Sequence, residues 1–248
     1  MNKQPVIFKD LGLMEYKAAW DYQEQLLQES VRRKTEARIQ MSEVEGQQSN
    51  FRPLTSDLDT QHYLLLVEHP PVYTLGKSGH IENVLIGEEM RSAKGIGFFR
   101  TNRGGDITFH GPRQIVGYPI LDLEKFETDI GKYLRNIEKV VIQTLEEYGI
   151  EAGRSPGETG VWIDADKPGK ERKICAIGVR SSRWVTMHGF ALNVNTDLSH
   201  FNFIIPCGIQ GKQVTSIEKE LGHKADFEEA KEKVKRNFEE VFNVELRG

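Results

Sequence analysis

Cysteine is scarce in this 248-residue chain, which contains only Cys175 and Cys207. Two cysteines are too few for the disulfide framework of a small secreted domain. The first residues, Met1 to Val6, also lack an apolar segment long enough for a secretion signal. We therefore expect a cytoplasmic protein whose two cysteines are free thiols, because the cytosol is reducing.

Long apolar runs are missing as well, and so is a strong charge of either sign. No run approaches the roughly 18 apolar residues that a helix needs to cross a bilayer, so no membrane partner is expected. The formal net charge of −4 at pH 7 argues against a dedicated nucleic-acid binder. No Gly-x-Gly-x-x-Gly fingerprint occurs, which disfavours dinucleotide binding.

The remaining composition, 38% hydrophobic and 28% charged, is that of an ordinary globular protein. We expect one domain over residues 1–248, with residues 42–60 as a surface loop because glycine, serine, asparagine and proline recur there without periodicity. Helical and strand patterns mix without strict βαβ alternation. The fold class predicted is therefore α/β in the broad sense (α+β), a mixed sheet flanked by helices.

Individual elements follow from periodicity and from capping residues. Helices are predicted at residues 14–41 and 130–148, and at two C-terminal segments with N-caps at Thr215 and Asp226. Strands are predicted at residues 5–9, 62–68, 97–100, 107–109, 115–121, 159–163, 173–181 and 184–194. The turn at Pro168-Gly169 predicts a hairpin between the strands at 159–163 and 173–181.

Cys207 lies between Pro206 and Gly208, after an apolar run. Proline cannot donate to a sheet ladder and glycine permits unusual backbone angles, so this thiol is predicted at a turn that ends a strand. A thiol at such a turn can be reached by a substrate, which makes Cys207 a candidate nucleophile. Cys175 is the weaker candidate, because apolar neighbours in mid-strand hide a thiol and raise its pKa.

The densest polar stretch runs from Arg103 through Gly104-Gly105 to His110. Paired glycines after an arginine let the backbone approach a ligand closely and present N–H donors beside a cation. A plain turn before a strand is the alternative. The stretch does not end in Gly-Lys-Ser/Thr, so it is not a Walker phosphate loop.

Lys173 begins an alternating strand in which it would point the same way as Cys175 and Ile177. A lysine on an apolar face either extends its ammonium to solvent or is placed for chemistry. Residues 167–183 hold six basic residues and one acidic residue. That patch is either a solvated face or a docking site for an acidic partner.

His188 precedes Gly189-Phe190-Ala191, whose small residues suggest backbone exposed along a groove. No His-x-x-x-His pair supports it as a metal ligand, so no metal site is expected. A Cys–His catalytic pair of Cys207 with either His110 or His188 stays open.

Taken together, these stretches resemble the octanoyltransferases of lipoate biosynthesis. The matching pieces occur in the family order: residues 65–76, 103–110, 173–178, 188–195 and 206–209. Arg113 departs from the family, which usually carries a small residue there, and we expect it to alter the rim of the acyl or carrier site. The segment between residues 30 and 60 is longer than in compact members.

The resemblance implies one α/β domain related to the biotin and lipoate protein ligases, and a catalytic dyad of Cys207 and Lys173. It also implies a pocket for the acyl group and its carrier. The residues carried over to that pocket are Arg103, Gly104, Gly105, Asp106, Ile107, Thr108, Phe109, His110, Ala176, Ile177, Gly178, Gly189, Phe190 and Ala191.

The activity implied is transfer of an octanoyl group from octanoyl-acyl carrier protein to a lysine of apo lipoyl domains, through an acyl thioester on Cys207. The acceptors implied are the lipoyl domains of 2-oxoacid dehydrogenases and the glycine cleavage H protein. No metal or nucleotide cofactor is implied, since the octanoyl group is already activated as a thioester on the phosphopantetheine arm of its carrier protein. Two alternatives remain, an ATP-dependent lipoate or biotin protein ligase and a non-catalytic module that binds lipoyl domains.

Overall fold

A computed structural model describes residues 3–45, 60–205 and 213–248, with side chains for all of these except residues 40–45. Eleven strands and five α-helices lie within these ranges. The strands are β1 (Gln4–Leu13), β2 (Tyr63–Glu68), β3 (Val72–Leu75), β4 (Gly97–Arg100), β5 (Ile107–His110), β6 (Gln114–Ile120), β7 (Val161–Ile163), β8 (Arg172–Ser182), β9 (Val185–Asn193), β10 (Gln213–Val214) and β11 (Val244–Arg247). The helices are α1 (Tyr16–Glu45), α2 (Glu88–Ala93), α3 (Ile130–Glu146), α4 (Ile217–Leu221) and α5 (Phe227–Phe242).

Eight strands form one mixed sheet in the order β10-β8-β9-β6-β2-β1-β11, with β7 paired to β8. The pairs β2–β6, β6–β9, β8–β9 and β7–β8 are antiparallel, whereas β1 runs parallel to both β2 and β11. The mixed sheet with flanking helices confirms the predicted fold class.

Both faces of this large sheet are covered, and the alternation along β2 shows how. Leu64 and Leu66 point into the core beneath α3 and α5. Tyr63, Leu65 and Val67 point to the opposite face, where α1 packs. A strand buried on both faces reads as a continuous apolar run, which is why residues 62–68 carry no polar alternation.

A second sheet has three strands in the order β4-β3-β5, with β3 parallel to β4 and antiparallel to β5. Its own apolar cluster includes Tyr73, Phe109 and Phe201. The β3 strand was not predicted, because two prolines precede it and its four residues are too few to show a period.

The strands predicted at 62–68, 115–121, 159–163, 173–181 and 184–194 form within two residues of the predicted bounds, and the β7–β8 hairpin forms. Helix α1 extends to Glu45, so the predicted surface loop is wrong for residues 42–45; residues 46–59 lie outside the described residues. No helix in the described part of the chain is long and apolar enough to cross a membrane.

Of the two N-caps predicted for the C-terminal helices, one is confirmed and the other is wrong. Asp226 caps α5 as predicted, accepting from the backbone N–H groups of Glu228 and Glu229. Thr215 is wrong as the cap of α4: Ser216 accepts from the Lys219 N–H instead. Thr215 lies one residue earlier, with its backbone N–H donated to the Lys173 carbonyl, so it extends the edge of the sheet.

Candidate active site

A cavity of about 470 Å³ lies where the two sheets meet, lined by residues of β5, β6, β8 and β9. Tyr16 from α1 and Val214 from β10 complete its wall. Apolar lining comes from Val116, Phe190 and Ala191 among others. The surface exposed to the cavity is largely apolar, and polar side chains such as Arg103, Gln114 and Lys173 also line it. Cavities of this size that combine the two are typical of small-molecule sites.

Lys173 reaches this cavity because β8 carries a β-bulge. Val161 pairs with Cys175 and Trp162 pairs with Lys173, so Ile174 is the extra residue on β8. As a result Ile174 and Cys175, although consecutive, both belong to the core beneath α3 and α5. Lys173 lines the cavity. The expectation that Lys173 points the same way as Cys175 is therefore wrong, and the bulge is the reason.

The Lys173 side chain lies in a narrow slot between the Trp162 ring and Gly160. Its Nζ lies 4.5 Å from the centroid of the Trp162 ring, which is a cation–π contact. Gly160 flanks the slot with a φ of +125°; a Cβ there would lie 3.5 Å from Lys173 Cε and 2.7 Å from the Cys175 carbonyl oxygen. A residue other than glycine would be strained at this point.

Cys175 is fully buried, and its Sγ lies 3.6 Å from the Ala176 carbonyl oxygen. Burial raises the pKa of the Cys175 thiol well above its ordinary value. A buried thiol that stays protonated is a poor nucleophile.

Arg103 and Gly105 form another part of the cavity wall, and Gly104 between them is bound to β8. The Arg103 guanidinium is buried and donates to the Thr74 hydroxyl at 3.0 Å and to the Gly104 carbonyl at 3.0 Å. The Gly104 N–H donates to the Val179 carbonyl of β8 at 2.9 Å. A Cβ at Gly178 would lie 2.7 Å from the Gly104 carbonyl oxygen, so the absence of a side chain at Gly178 lets this wall rest on β8.

Asp106 ties the same wall to the 3₁₀ helix at Ile81–Asn83. Its Oδ2 accepts from Asn83 Nδ2 at 2.6 Å, and its Oδ1 accepts from its neighbour's N–H, that of Ile107, at 2.7 Å. With a φ of +84°, Gly105 makes the turn between Arg103 and Asp106.

Three buried histidines, of which His110 and His188 line the cavity, are uncharged at neutral pH. Burial lowers the pKa of His69 to about 4, and burial together with the Arg103 and Arg180 guanidinia lowers the pKa of His188 to about 3. Burial first, then His69, holds the pKa of His110 well below its usual range. The wall they form is therefore polar without being charged.

Twelve of the fourteen residues predicted for the pocket line this cavity. They are Arg103, Gly105, Asp106, Ile107, Thr108, His110, Ala176, Ile177, Gly178, Gly189, Phe190 and Ala191. Gly104 and Phe109 do not line it: Gly104 is bound to β8, and the Phe109 ring is fully buried in the core of the small sheet. Cys207 lies outside the described residues.

Further lining residues were not predicted for the pocket, among them Tyr16, Gln114, Tyr118, Asn193 and Val214. Gln114 and Asn193 face each other across β6 and β9 as a strand pair. An alternating strand pattern that carries an amide at a buried position is a signal that would have found both.

Three of the six basic residues in the patch at 167–183 form ion pairs within the chain. Arg172 contacts Asp164 and Glu220, and Arg180 contacts Glu24 at 2.7 Å. Lys167 also pairs with Asp164. Lys170 and Arg183 are exposed. Few charges of the patch therefore remain for docking an acidic partner.

Arg113 does not line the cavity. It occupies the turn between β5 and β6 with a φ of 63°, and its guanidinium lies 5.4 Å from the centroid of the Phe227 ring at the start of α5.

The sequence model of the lipoyl protein ligase A/B catalytic domain matches residues 15–239. The octanoyltransferase of Christiangramia forsetii is 55% identical over 248 residues, which are 100% of this chain and 99% of that one. The octanoyltransferase of Flavobacterium johnsoniae is 55% identical over 247 residues, 99% of this chain and 100% of that one.

Solved structures share the fold at low sequence identity. A bi-partite lipoate protein ligase from Thermoplasma acidophilum superimposes with a TM-score of 0.66 at 16% identity, covering 100% of this chain and 86% of that one. A lipoate-protein ligase A bound with ATP gives a TM-score of 0.64 at 14% identity, covering 100% and 88%. The fold is thus the one found in lipoate protein ligases, as the resemblance implied. By its matches over the full length, the chain belongs to the octanoyltransferase family of acyltransferases.

Proposed function

We propose that this protein moves an octanoyl group from octanoyl-acyl carrier protein to the ε-amine of a lysine on apo lipoyl domains, through an acyl thioester on Cys207. The acceptors are the lipoyl domains of 2-oxoacid dehydrogenases and the glycine cleavage H protein, and the reaction takes place in the cytoplasm. The observation that supports this is that residues from three separate stretches, 103–110, 176–178 and 189–191, line one largely apolar cavity. Lys173 lines the same cavity because of the bulge in β8.

The first step is a thioester exchange. A free cysteine at pH 7 is only a few per cent thiolate, since its reference pKa is about 8.5, and a neighbouring lysine ammonium increases that fraction. The Cys207 sulfur attacks the donor carbonyl, a new S–C bond forms, and the bond to the phosphopantetheine sulfur breaks. The Lys173 ammonium gives its proton to the departing thiolate and becomes a neutral amine.

The second step regenerates the enzyme. The ε-amine of the acceptor lysine attacks the acyl thioester, an amide bond forms, and the Cys207 thiolate leaves. Lys173 accepts the proton that the attacking nitrogen loses, which restores its ammonium form. Backbone N–H groups are the donors that suit the oxyanion in both steps. Thioester exchange is nearly balanced in energy and amide formation is downhill, so this route needs neither a nucleotide nor a metal.

The acyl-enzyme is directly detectable. Incubation with octanoyl-acyl carrier protein should add one octanoyl group that hydroxylamine removes, and peptide mass spectrometry should locate it on Cys207. Cys207→Ala should abolish both the adduct and the transfer. Cys175→Ala is the matched control and should retain most activity, because that thiol is buried away from the cavity.

Two outcomes would overturn the proposal. Full transfer by Cys207→Ala, dependent on ATP and free octanoate, would identify an adenylate-forming ligase of the same fold. Binding of lipoyl domains by a protein that transfers nothing, unaffected by replacement of either Cys207 or Lys173, would identify a non-catalytic module.

A further inference from the structure

A continuous chain of hydrogen bonds made by side chains runs along the cavity wall from Arg103 to Thr215, the residue after β10. It starts on the small sheet, where the Arg103 guanidinium donates to the Thr74 hydroxyl. The Thr74 hydroxyl is 3.4 Å from His110 Nε2, and His110 Nδ1 is 2.9 Å from Gln114 Oε1. The chain thereby crosses from β3 and β5 to β6 in the large sheet.

The direction of each hydrogen bond follows from the backbone groups at Gln114. Gln114 Nε2 lies 3.1 Å from the Phe109 carbonyl, which can only accept, so this atom is the amide nitrogen. The other end of the amide is then an acceptor, and His110 must donate to it from Nδ1–H. His110 Nε2 is left as a lone pair, which takes the proton of the Thr74 hydroxyl. One tautomer of a neutral His110 satisfies every group.

The same reasoning fixes the second half of the chain. Gln114 Nε2 also donates to Asn193 Oδ1 at 2.8 Å, and Asn193 Nδ2 donates to the Thr215 carbonyl at 2.9 Å. The Thr215 N–H in turn donates to the Lys173 carbonyl at 3.0 Å. Both hydrogens of the Gln114 side-chain amide are therefore donated within the protein, to the Phe109 carbonyl and to Asn193 Oδ1. Gln114 has no N–H left for a substrate and can act only by positioning other groups.

The geometry of β8 shows why the bond to Thr215 matters. β7 pairs with one side of Lys173, and β10 pairs with the other side through Val214. On that second side β9 pairs with β8 only from Cys175 onward. Beside Lys173 the short β10 therefore takes the place of β9, and the Asn193 amide joins the end of β9 to the chain after β10.

We propose that Gln114 and Asn193 are positioning residues that hold the Lys173 wall of the cavity in register with the Arg103 wall. A two-residue strand forms too few ladder hydrogen bonds to fix its own position. The buried Asn193 side chain adds a hydrogen bond to the Thr215 carbonyl just beyond that strand. The consequence for catalysis rests on the proposed function, because only then does the place of Lys173 set the rate.

Asn193→Asp tests this, with Asn195→Asp as its matched control. Asn195 donates to the Ala225 carbonyl at 2.8 Å and accepts from the Ala225 N–H at 3.0 Å, away from the cavity. Either substitution keeps the accepting oxygen and deletes the donating N–H. Only Asn193→Asp breaks a bond to the strand beside Lys173.

The first readout is hydrogen exchange at the Thr215 amide, which reports the strand without any assumption about activity. Asn193→Asp should speed this exchange by about 10-fold or more, the size expected for one lost buried hydrogen bond. Asn195→Asp should leave it unchanged. The second readout is kinetic: Asn193→Asp should lower kcat for octanoyl transfer while KM changes little, and should alter the pH profile of kcat.

Unchanged exchange at Thr215 in a folded Asn193→Asp protein would overturn the positioning role, and so would equal effects of the two substitutions. If Asn193→Asp does not fold, Asn193→Ser, whose side chain is too short to reach the Thr215 carbonyl, takes its place with the same expectations. A wild-type protein that transfers no octanoyl group would contradict the proposed function alone, since the exchange result would still decide the role of Asn193.

Discussion

Lys173 lines the cavity with only 9% of its surface exposed, and its Nζ lies 4.5 Å from the centroid of the Trp162 ring. The face of an aromatic ring attracts a lysine ammonium. A charged ammonium is also what a cysteine needs in order to react as a thiolate at neutral pH. At the scale of single residues, the proposed thiol chemistry therefore depends on Lys173.

Cys175 and Lys173 show what could and could not be predicted residue by residue. Apolar neighbours predicted a hidden Cys175, and the structure confirms its burial. Strand alternation placed Lys173 on the same face, and this was wrong. A bulge is invisible to period-2 reasoning, because one extra residue reverses every later assignment.

At the scale of elements, the cavity depends on how closely the segment from Arg103 to Gly105 approaches β8. Gly178 on β8 pairs with Gly189 on β9, so neither strand presents a side chain at that point. A groove was predicted along Gly189 and Ala191; at Gly178, the strand partner of Gly189, the Arg103 side chain approaches the backbone, with Cδ 3.2 Å from where a Cβ would lie.

Gly178→Ala should push the Arg103 wall away from β8, because its Cβ would lie 2.7 Å from the Gly104 carbonyl oxygen and 3.2 Å from Arg103 Cδ. Overpacking of this kind costs about 1–3 kcal/mol of stability. We expect a lower melting temperature and at least a several-fold higher KM for the octanoyl donor.

Gly153→Ala is the control for that substitution. A Cβ at Gly153 would meet no atom within 4 Å, and its φ is not positive. It should leave both the melting temperature and KM nearly unchanged. Equal KM values for Gly178→Ala and the wild type would show that the Arg103 wall does not contact the donor.

Helix α3 was predicted because its period extends over many residues, and the central strand β2 because it is a near-continuous apolar run. The four-residue β3 and the two-residue β10 were not predicted, because their pairing is set by the sheets around them. The candidate site could be predicted from the family resemblance, whereas the hydrogen-bond chain through Gln114 and Asn193 could be found only in the structure. Nothing in the sequence places these two amides against His110 and Thr215.

At the scale of the whole molecule, three neutral histidines at the junction of the two sheets make stability depend on pH. Their pKa values are depressed in the folded state, so the unfolded chain binds protons first as the pH falls. The free energy of unfolding should be retained above about pH 6.5 and should fall from there toward pH 4, by up to about 1.4 kcal/mol per pH unit for each histidine.

Urea denaturation at pH 7.5 and pH 5.0 measures this slope. His69→Asn can still donate to the Met14 carbonyl that His69 Nδ1 contacts, but it cannot be protonated, so its slope should be shallower. His223→Asn alters an exposed histidine and should keep the wild-type slope. A wild-type stability that stays level between these two pH values would contradict the neutral state of the three buried rings.

The proposed mechanism requires the Lys173 ammonium to favour the thiolate form of Cys207 and so to lower the pKa of that thiol. Its most direct test is the rate of Cys207 alkylation by iodoacetamide as a function of pH, in a Cys175→Ala background so that one thiol reports. The midpoint should lie well below the reference value of about 8.5 and should rise toward or above it in Lys173→Met, which keeps the side-chain volume and removes the charge. Identical midpoints with and without Lys173 would contradict the account.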